Sequence, residues 1–281
     1  MKAIYCVIPL LAMFAACGSP EAAPAGSDAG ACALTPVLIE DFNDLSIDAN
    51  RLGPARWTAH TPWHGDFSDA RFTDPRADGP FSVKDGVLAI KAWKEPSGLW
   101  RSGLIAAADD TGANEGTRYG YFETRMKFPP GPGTWPAFWL AAAKAAHQKD
   151  ANVEIDAIEY YGKFTDSYHA HVHIWYADRA KSRGGAKLLD VPAGSLVDGF
   201  HTYGVDISPQ AIVFFRDGKQ VWSQPTPPEL DGPLYPLVNL ALGSGFPIDQ
   251  TPNPSVLLVD YVHVYARGPG PPGGCPPGPP T

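Results

Sequence analysis

The chain has 281 residues, a formal net charge of -8 and no run of basic residues. This composition argues against nucleic acid as a partner, and it makes a neutral polymer a better substrate than a strongly anionic one. The aromatic-rich stretch 37–267 contains no second linker, which predicts one large domain rather than several.

An export signal is the first predicted element. Lys2 precedes an apolar run too short to cross a bilayer as a mature helix, so residues 1–16 are predicted to be a signal peptide. Small residues then lead into Cys17, as at the lipidation site of bacterial lipoproteins; the alternative is an ordinary signal peptide with Cys17 free or removed. Residues 17–36 are predicted to be a flexible tether. We therefore expect a protein of the bacterial periplasm or outer membrane, or a secreted one, whose membrane contact is through the lipid alone.

The cysteines predict a disulfide between the two ends of the mature chain. Cys6 leaves with the signal peptide and lipidation would consume Cys17, which leaves Cys32 and Cys275 as a pair in an oxidising compartment. A bridge that closes so long a loop can stabilise a fold by roughly 5 kcal/mol. The alternative is two unpaired thiols in flexible ends. The Pro/Gly-rich segment 268–281 is predicted to be a tail without packed structure.

Between these ends the chain has the pattern of an all-β domain. Short runs of β-branched and aromatic residues recur, among them FSVKDGVLAIKAW, YGYFETRMKF, VEIDAIEYY, YHAHVHIWYA and VLLVDYVHVYA. There is no long helical period, and RDGK supplies the turn of a hairpin. Many strands in a chain of this length favour a sandwich of two antiparallel sheets. The long polar connection from Arg51 to Pro80 is expected to shape a binding surface.

Three carboxylates lie within six positions of the stretch VEIDAIEYYG. Glu154 and Asp156 share one face of a regular strand, whereas Glu159 would point to the other face. One extra residue, a β-bulge in which Ala157 and Ile158 together oppose a single partner residue, would return Glu159 to the face of the other two. The alternatives are a solvated strand face and a calcium cluster.

Two glutamates on one concave face could perform the chemistry of a retaining glycosidase, in which one is the nucleophile and the other the acid/base. We expect Asp156 to hydrogen-bond one glutamate. As a neighbouring charge, Asp156 should also keep Glu159 protonated until Glu159 donates its proton.

Histidines alternate in YHAHVHIWY, so His169, His171 and His173 share one strand face. A short loop would make this strand the antiparallel partner of the carboxylate strand, with His173 nearer to Glu159 than His169 is. The alternatives are a zinc site and a polar strand face.

Two tryptophans in GTWPAFWL, Trp135 and Trp139, are four residues apart and would share a face. Sugar rings stack their apolar C–H faces on such indoles. The alternative is that both belong to the core.

The motifs RYGYFETRMKFPPGPGTWPAFWL, VEIDAIEYYG, YHAHVHIW, FHTYGVDISPQAIVFFRDGK, LVNLALGSG and VDYVHVY together resemble glycoside hydrolase family 16, the laminarinase-like enzymes. The resemblance implies a concanavalin-like β-jelly roll with a cleft across its concave sheet. By the motif, Glu154 matches the nucleophile, Asp156 the assisting carboxylate and Glu159 the acid/base, in the bulged ExDxxE branch of the family.

The resemblance also implies roles for residues outside the carboxylate strand. His173 matches a histidine next to the acid/base, whereas His171 replaces a threonine. Sugar contacts are implied for four further residues: Trp135, Trp139, Arg101 and Asn239. Gly86 and Asp260 match positions that bind a structural calcium in some members; the alternative for Asp260 is a charge paired at a strand edge.

The implied activity is endo-hydrolysis of a β-linked polysaccharide with retention, by default a β-1,3- or mixed-linked glucan. No cofactor beyond the possible calcium is required, and we expect a monomer. A transglycosylase with the same site and a non-catalytic glycan-binding lipoprotein are the alternatives. The segment from Trp57 to Phe81 departs from the family pattern, which leaves the sugar and the linkage open.

Overall fold

The computed structural model describes residues 32–65, 67–143, 151–268, 270 and 275–280. The predicted signal peptide, Cys17 and the tether before Cys32 lie outside these residues. Within them, no helix is both long enough and apolar enough to span a membrane.

Strands make up about half of the described chain. Eighteen strands and one short helix follow in order: β1 (Leu34–Glu40), β2 (Ile47–Asp48), β3 (Trp57–Thr58), β4 (Arg71–Phe72), β5 (Phe81–Lys84), β6 (Val87–Lys94), β7 (Trp100–Ser102), β8 (Leu104–Ala106), β9 (Gly120–Lys127), β10 (Thr134–Ala142), β11 (Asn152–Glu159), β12 (Ser167–Trp175), β13 (Arg183–Asp190), α1 (Ser195–Asp198), β14 (His201–Ile207), β15 (Ala211–Arg216), β16 (Lys219–Pro225), β17 (Leu234–Leu242) and β18 (Ser255–Arg267). A single 3₁₀ turn, Arg179–Lys181, precedes β13.

The strands form two sheets that pack face to face. The ten-stranded sheet has the order β16-β15-β14-β9-β18-β6-β7-β4, with β1 also paired to β18 and β5 to β6; the eight-stranded sheet has the order β13-β12-β11-β10-β17-β8-β3-β2. Pairing is antiparallel except for two short edge pairs, β2 with β3 and β4 with β7. The predicted all-β, concanavalin-like jelly roll is confirmed.

Alternation along each strand places the core between the sheets. In β12 the side chains of Tyr168, Ala170 and Val172 are buried in that core, while the histidines between them point to the opposite face. A fully buried side chain of this kind contributes roughly 1.5–3 kcal/mol when it is large and apolar. Burial therefore sets the face on which the intervening polar residues must lie.

The two ends of the described chain meet on the ten-stranded sheet. Cys32 and Cys275 form the predicted disulfide, with their Cα atoms 5.5 Å apart. Beyond it, the backbone N–H of Gly278 donates to Asp206 at 2.7 Å, and Asp206 also pairs with Arg267 at 2.5 Å. The described part of the Pro/Gly-rich tail is thus held against the domain at two points.

Candidate active site

A β-bulge in β11 brings the three carboxylates to one face. Asp156 pairs with His171 on β12, and Glu159 pairs with His169. The two residues between the carboxylates, Ala157 and Ile158, therefore oppose a single residue of β12, as predicted. Ile158 is fully buried beneath the sheet. Glu154, Asp156 and Glu159 all line one pocket on the concave face of the eight-stranded sheet.

Each of two histidines contacts a different carboxylate. His171 Nδ1 lies 2.6 Å from Glu159 Oε2, and His173 Nε2 lies 3.2 Å from Asp156 Oδ2. The prediction that His173 would lie beside Glu159 is wrong. In antiparallel pairing the later residues of β12 face the earlier residues of β11, so His173 stands opposite Glu154 and His169 opposite Glu159.

Glu159 is surrounded by hydrogen-bond donors. Trp135 Nε1 donates to its Oε1 at 3.1 Å, and the Tyr161 hydroxyl donates to the same oxygen at 3.3 Å. Tyr161 is a residue that the sequence analysis missed. The sequence could have indicated it, because Tyr161 follows Glu159 by two residues, just beyond the end of β11. These donors and His171 hold the carboxylate in one orientation.

The three carboxyl groups differ in their affinity for protons. Burial, and then the charge of Asp156, raise the pKa of Glu154 to about 8. Burial and the charge of Glu159 raise the pKa of Asp156 well above its ordinary value. Burial alone would also raise the pKa of Glu159, but His171 and the indole of Trp135 outweigh it and hold that pKa below its usual value.

This distribution corrects the expected role of Asp156. The sequence analysis expects the charge of Asp156 to keep Glu159 protonated. Instead, hydrogen-bond donors favour the ionised form of Glu159, and the charge of Glu159 helps to keep Asp156 protonated. The protons that this crowded cluster retains therefore reside mainly on Asp156 and Glu154.

The rings of β12 form a ladder beside the carboxylates. The centroid of His169 lies 5.5 Å from that of His171, His171 lies 5.0 Å from His173, and His173 lies 4.7 Å from Trp175. The rings are nearly parallel, so each one limits the rotation of the next. A hydrogen bond from Trp175 also favours the ionised form of Glu154.

The predicted sugar-contacting residues of β10 and β17 line the same pocket. Trp135, Trp139 and Asn239 all contribute to its wall. Asn239 is 1% exposed, and its amide accepts from Trp139 Nε1 at 2.8 Å and donates to the carbonyl of Trp135 at 3.3 Å. In this arrangement Asn239 orients the two tryptophans.

Two pocket residues come from the long connection and were not singled out from the sequence. Trp63 and Phe67 line the pocket together with the carboxylates. The expectation that the Arg51 to Pro80 connection shapes a binding surface agrees with this placement. The individual residues were missed because no periodic pattern marks an irregular loop.

Arg101 is placed elsewhere. It belongs to β7 in the ten-stranded sheet, and its Nε donates to Glu95 Oε1 at 3.1 Å. It is not among the residues that line the carboxylate pocket.

Of the two implied calcium residues, Asp260 is a paired charge. Gly86 lies in the turn between β5 and β6 with φ +74°, and Asp260 lies on β18. The Asp260 carboxylate is paired with Arg125 at 2.5 Å. Calcium needs six to eight oxygen ligands, and here the guanidinium already neutralises the carboxylate. The pairing agrees with the alternative that Asp260 is a paired charge.

The zinc alternative was stated for the three histidines of β12, and the structure groups two of them with Asp156. Potential ligand atoms of Asp156, His171 and His173 lie within 4.8 Å of one another, and no other such group of three occurs in the described part of the chain. The close contacts of these histidines, however, pair each imidazole with a carboxylate. We therefore assign both histidines to the carboxylates.

Comparisons with known proteins show the family to which the chain is related. Residues 82–245 match the sequence profile described as "Glycosyl hydrolases family 16". Over 259 residues the chain is 30% identical to "Endo-1,3-1,4-beta-glycanase EglC" of Rhizobium meliloti (strain 1021), an alignment that covers 83% of this chain and 52% of that protein. It is also 30% identical over 246 residues to "Beta-glucanase" of Rhodothermus marinus, covering 75% of this chain and 79% of that protein.

A solved structure shows the same architecture. The laminarinase from Rhodothermus marinus superposes with a TM-score of 0.65 at 28% identity, covering 83% of this chain and 98% of that one. Against the Rhizobium glycanase, by contrast, the chain spans about half the length of its relative.

Proposed function

The chain belongs to glycosyl hydrolase family 16, and on that premise we propose that it is an endo-acting glycoside hydrolase that cleaves a β-linked glucan. The observation that carries the proposal is the bulged strand β11, which presents Glu154, Asp156 and Glu159 to one pocket lined by tryptophans. A solvated strand face would not need the bulge, the donors around Glu159 or the aromatic walls.

The proposed reaction is a double displacement. Glu154 attacks the anomeric carbon while the bond to the leaving oxygen breaks and Glu159 transfers its proton to that oxygen. A covalent glycosyl ester of Glu154 results. Glu159, now ionised, takes a proton from a water molecule that attacks the anomeric carbon, and the Glu154 carboxylate leaves. Two inversions give net retention of configuration.

The resting distribution of protons differs from the one that this reaction needs. Attack requires an ionised Glu154 and a protonated Glu159, whereas the free protein favours the reverse. A redistribution of protons within the cluster on substrate binding would bring the two glutamates to the states that the reaction needs. The pH limits of the activity would belong to the cluster as a whole.

A neutral glucan suits the cleft better than an anionic polymer. Within the described residues, the three carboxylates face imidazoles and indoles and have no arginine or lysine partner. One relative is named an endo-1,3-1,4-beta-glycanase and another a beta-glucanase. These names support a β-1,3- or mixed-linked glucan as the substrate.

We further propose that the protein is exported and acts as a monomer. The Cys32–Cys275 disulfide supports an oxidising compartment. Lipidation of Cys17 is proposed from the sequence alone, and intact-mass measurement of the protein from its host would reveal the added acyl mass.

The proposal is tested by incubation with laminarin, mixed-linked β-glucan, agarose and xyloglucan, followed by measurement of reducing ends. We expect cleavage of laminarin or mixed-linked glucan into oligosaccharides of several lengths. Proton NMR of the first products should show the β-anomer before mutarotation. Products that begin as the α-anomer would exclude the double displacement, and release of reducing ends from agarose alone would exclude the glucan assignment.

A further inference from the structure

Of the two tryptophans on β10, Trp139 is buried and Trp135 is partly buried. Trp139 is only 6% exposed. The ring of Phe67 packs edge-on against both Trp135 and Trp139, with centroid distances of 5.5 and 5.9 Å. Trp135 is also stacked on Tyr161 at 6.0 Å and an interplanar angle of 13°. Both indoles are therefore largely engaged with other aromatic rings.

Trp63 differs from these residues in its exposure. It is 42% exposed, although it lines the same pocket as the three carboxylates. Its ring meets that of Trp139 at a centroid distance of 6.1 Å and an interplanar angle of 65°, and the rest of the Trp63 side chain remains exposed. Five large apolar side chains of the described chain are exposed to this degree, and Trp63 is the one that lines this pocket.

A tight turn holds Trp63 in place. The Gly65 backbone N–H donates to the Thr61 hydroxyl at 3.1 Å, and the backbone N–H of His64 donates to the Thr61 carbonyl at 2.9 Å. The indole lies directly on Gly65, because a Cβ added at that position would lie 2.7 Å from Trp63 Cδ1. The side chain of His64, in the same turn, contacts Asp110 at 3.2 Å. The turn thus fixes the backbone that carries Trp63, and Gly65 gives its indole a contact within that turn.

From this geometry we infer that Trp63 is the principal sugar-stacking residue of the cleft and binds the apolar C–H face of a pyranose held beside the carboxylates. The inference rests on the proposed function and adds a binding residue to it. An ordered, exposed indole loses little conformational entropy when a ring stacks on it, so its binding energy is retained. Phe67 positions Trp63 indirectly, since it packs against the Trp139 ring that Trp63 touches.

The experiment compares Trp63→Ala and Trp63→Phe with the wild type, using laminarin and mixed-linked β-glucan for kinetics. We expect Trp63→Ala to raise KM about tenfold, which corresponds to about 1.4 kcal/mol, with kcat nearly unchanged. The KM of Trp63→Phe should lie between those of the wild type and Trp63→Ala. Leu45→Ala is the matched control, because Leu45 is 45% exposed but lies outside the pocket, and it should behave as wild type.

A second variant tests the placement of the ring without removing it. Gly65→Ala should displace the indole and raise KM in the same direction as Trp63→Ala. Thermal melting verifies that each variant is folded. An unchanged KM in folded Trp63→Ala would overturn the inference.

Binding measurements separate this inference from the proposed function. If wild type cleaves none of the glucans, the proposed function fails, and affinity electrophoresis in gels containing each glucan decides on Trp63. Retardation of the wild type that is lost in Trp63→Ala supports the stacking role. Equal mobility of the two proteins in every gel contradicts it.

Discussion

Two groups of acidic residues, one on each sheet, have different partners. On the ten-stranded sheet, Asp206 pairs with Arg267 and Asp260 pairs with Arg125, each at 2.5 Å. On the eight-stranded sheet, the described contacts of the three carboxylates are with imidazole, indole and phenol groups. Asp206 and Asp260 are neutralised by permanent cations, whereas the three carboxylates of β11 lie among groups that are neutral or able to lose a proton.

The difference separates acids that hold the fold from acids suited to chemistry. An arginine keeps its charge at all relevant pH values and favours the ionised form of a carboxylate beside it. At Asp206, burial outweighs this effect of Arg267 and raises the pKa of the carboxyl group. Crowded carboxylates without such a partner must share protons, and their pKa values move apart. The raised pKa of Glu154 and the lowered pKa of Glu159 are the result on β11.

The largest effect is expected from the two glutamates. Glu154→Gln and Glu159→Gln should each lower kcat on the order of 10⁴-fold, because each removes a group that takes part in bond making. Reducing-end release measures the loss, and Glu115→Gln at an exposed site is the control. Activity within tenfold of wild type in either variant would exclude the assigned roles.

The same two variants should differ in stability at neutral pH. A carboxylate whose pKa is raised by folding destabilises the folded state at pH values above its unfolded pKa, so Glu154→Gln should melt at or above the wild-type temperature. A carboxylate whose pKa is lowered by folding stabilises the folded state at neutral pH, so Glu159→Gln should melt below the wild-type temperature. Loss of stability in both variants would indicate a purely structural role for the pair.

Asp206→Asn should show the reverse behaviour, with lost stability and retained activity. Asp206 is 2% exposed and Arg267 is 6% exposed, so the variant leaves a buried guanidinium without its counter-charge. We expect a loss of about 3 kcal/mol in the free energy of unfolding, measured with denaturant and the disulfide intact. Asp260→Asn is the matched control; its carboxylate is 31% exposed, and its loss should stay below about 1 kcal/mol.

The smallest effect is expected in a pH profile. His171 favours the ionised form of Glu159, so His171→Thr should raise the pKa of that carboxyl group. The acid/base must be protonated to act, and its activity is lost as pH rises through its pKa. The alkaline limit of kcat/KM should therefore move to higher pH in His171→Thr.

A histidine of the other sheet provides the control for this experiment. His263 Nε2 contacts Asp41 at 2.8 Å, which reproduces a histidine–carboxylate pair away from the pocket. His263→Thr should leave the pH profile unchanged. An alkaline limit that stays in place in His171→Thr, or that moves equally in both variants, would contradict the role of His171.

Some of this site could be predicted because strand geometry has a strict parity. Two carboxylates two residues apart share a face, and a third one five residues from the first joins them only through an extra residue. The prediction of a bulge at Ala157 and Ile158 followed from that parity and is confirmed. The disulfide could be predicted because Cys32 and Cys275 are the two cysteines that would remain after the predicted cleavage and lipidation.

Pairing between strands was harder to predict than the face of a residue. The register of β11 with β12 depends on the turn between them, and a shift of two residues preserves the faces while it changes every pair. The histidine face was expected from alternation, whereas the assignment of His173 to Glu159 was wrong because antiparallel pairing places the earlier residues of β12 opposite the later residues of β11. The distribution of protons among the carboxyl groups depends on the same register, because the register brings His171 into contact with Glu159.

The sequence by itself determined the all-β fold, the face of each strand residue and the position of the bulge, since burial and alternation act along the chain. Only the tertiary structure decided which imidazole contacts which carboxylate, that Asp260 pairs with Arg125, and that the Trp63 side chain is exposed at the pocket. These outcomes depend on groups from distant parts of the chain meeting within a few ångströms, and local periodicity carries no information about such meetings.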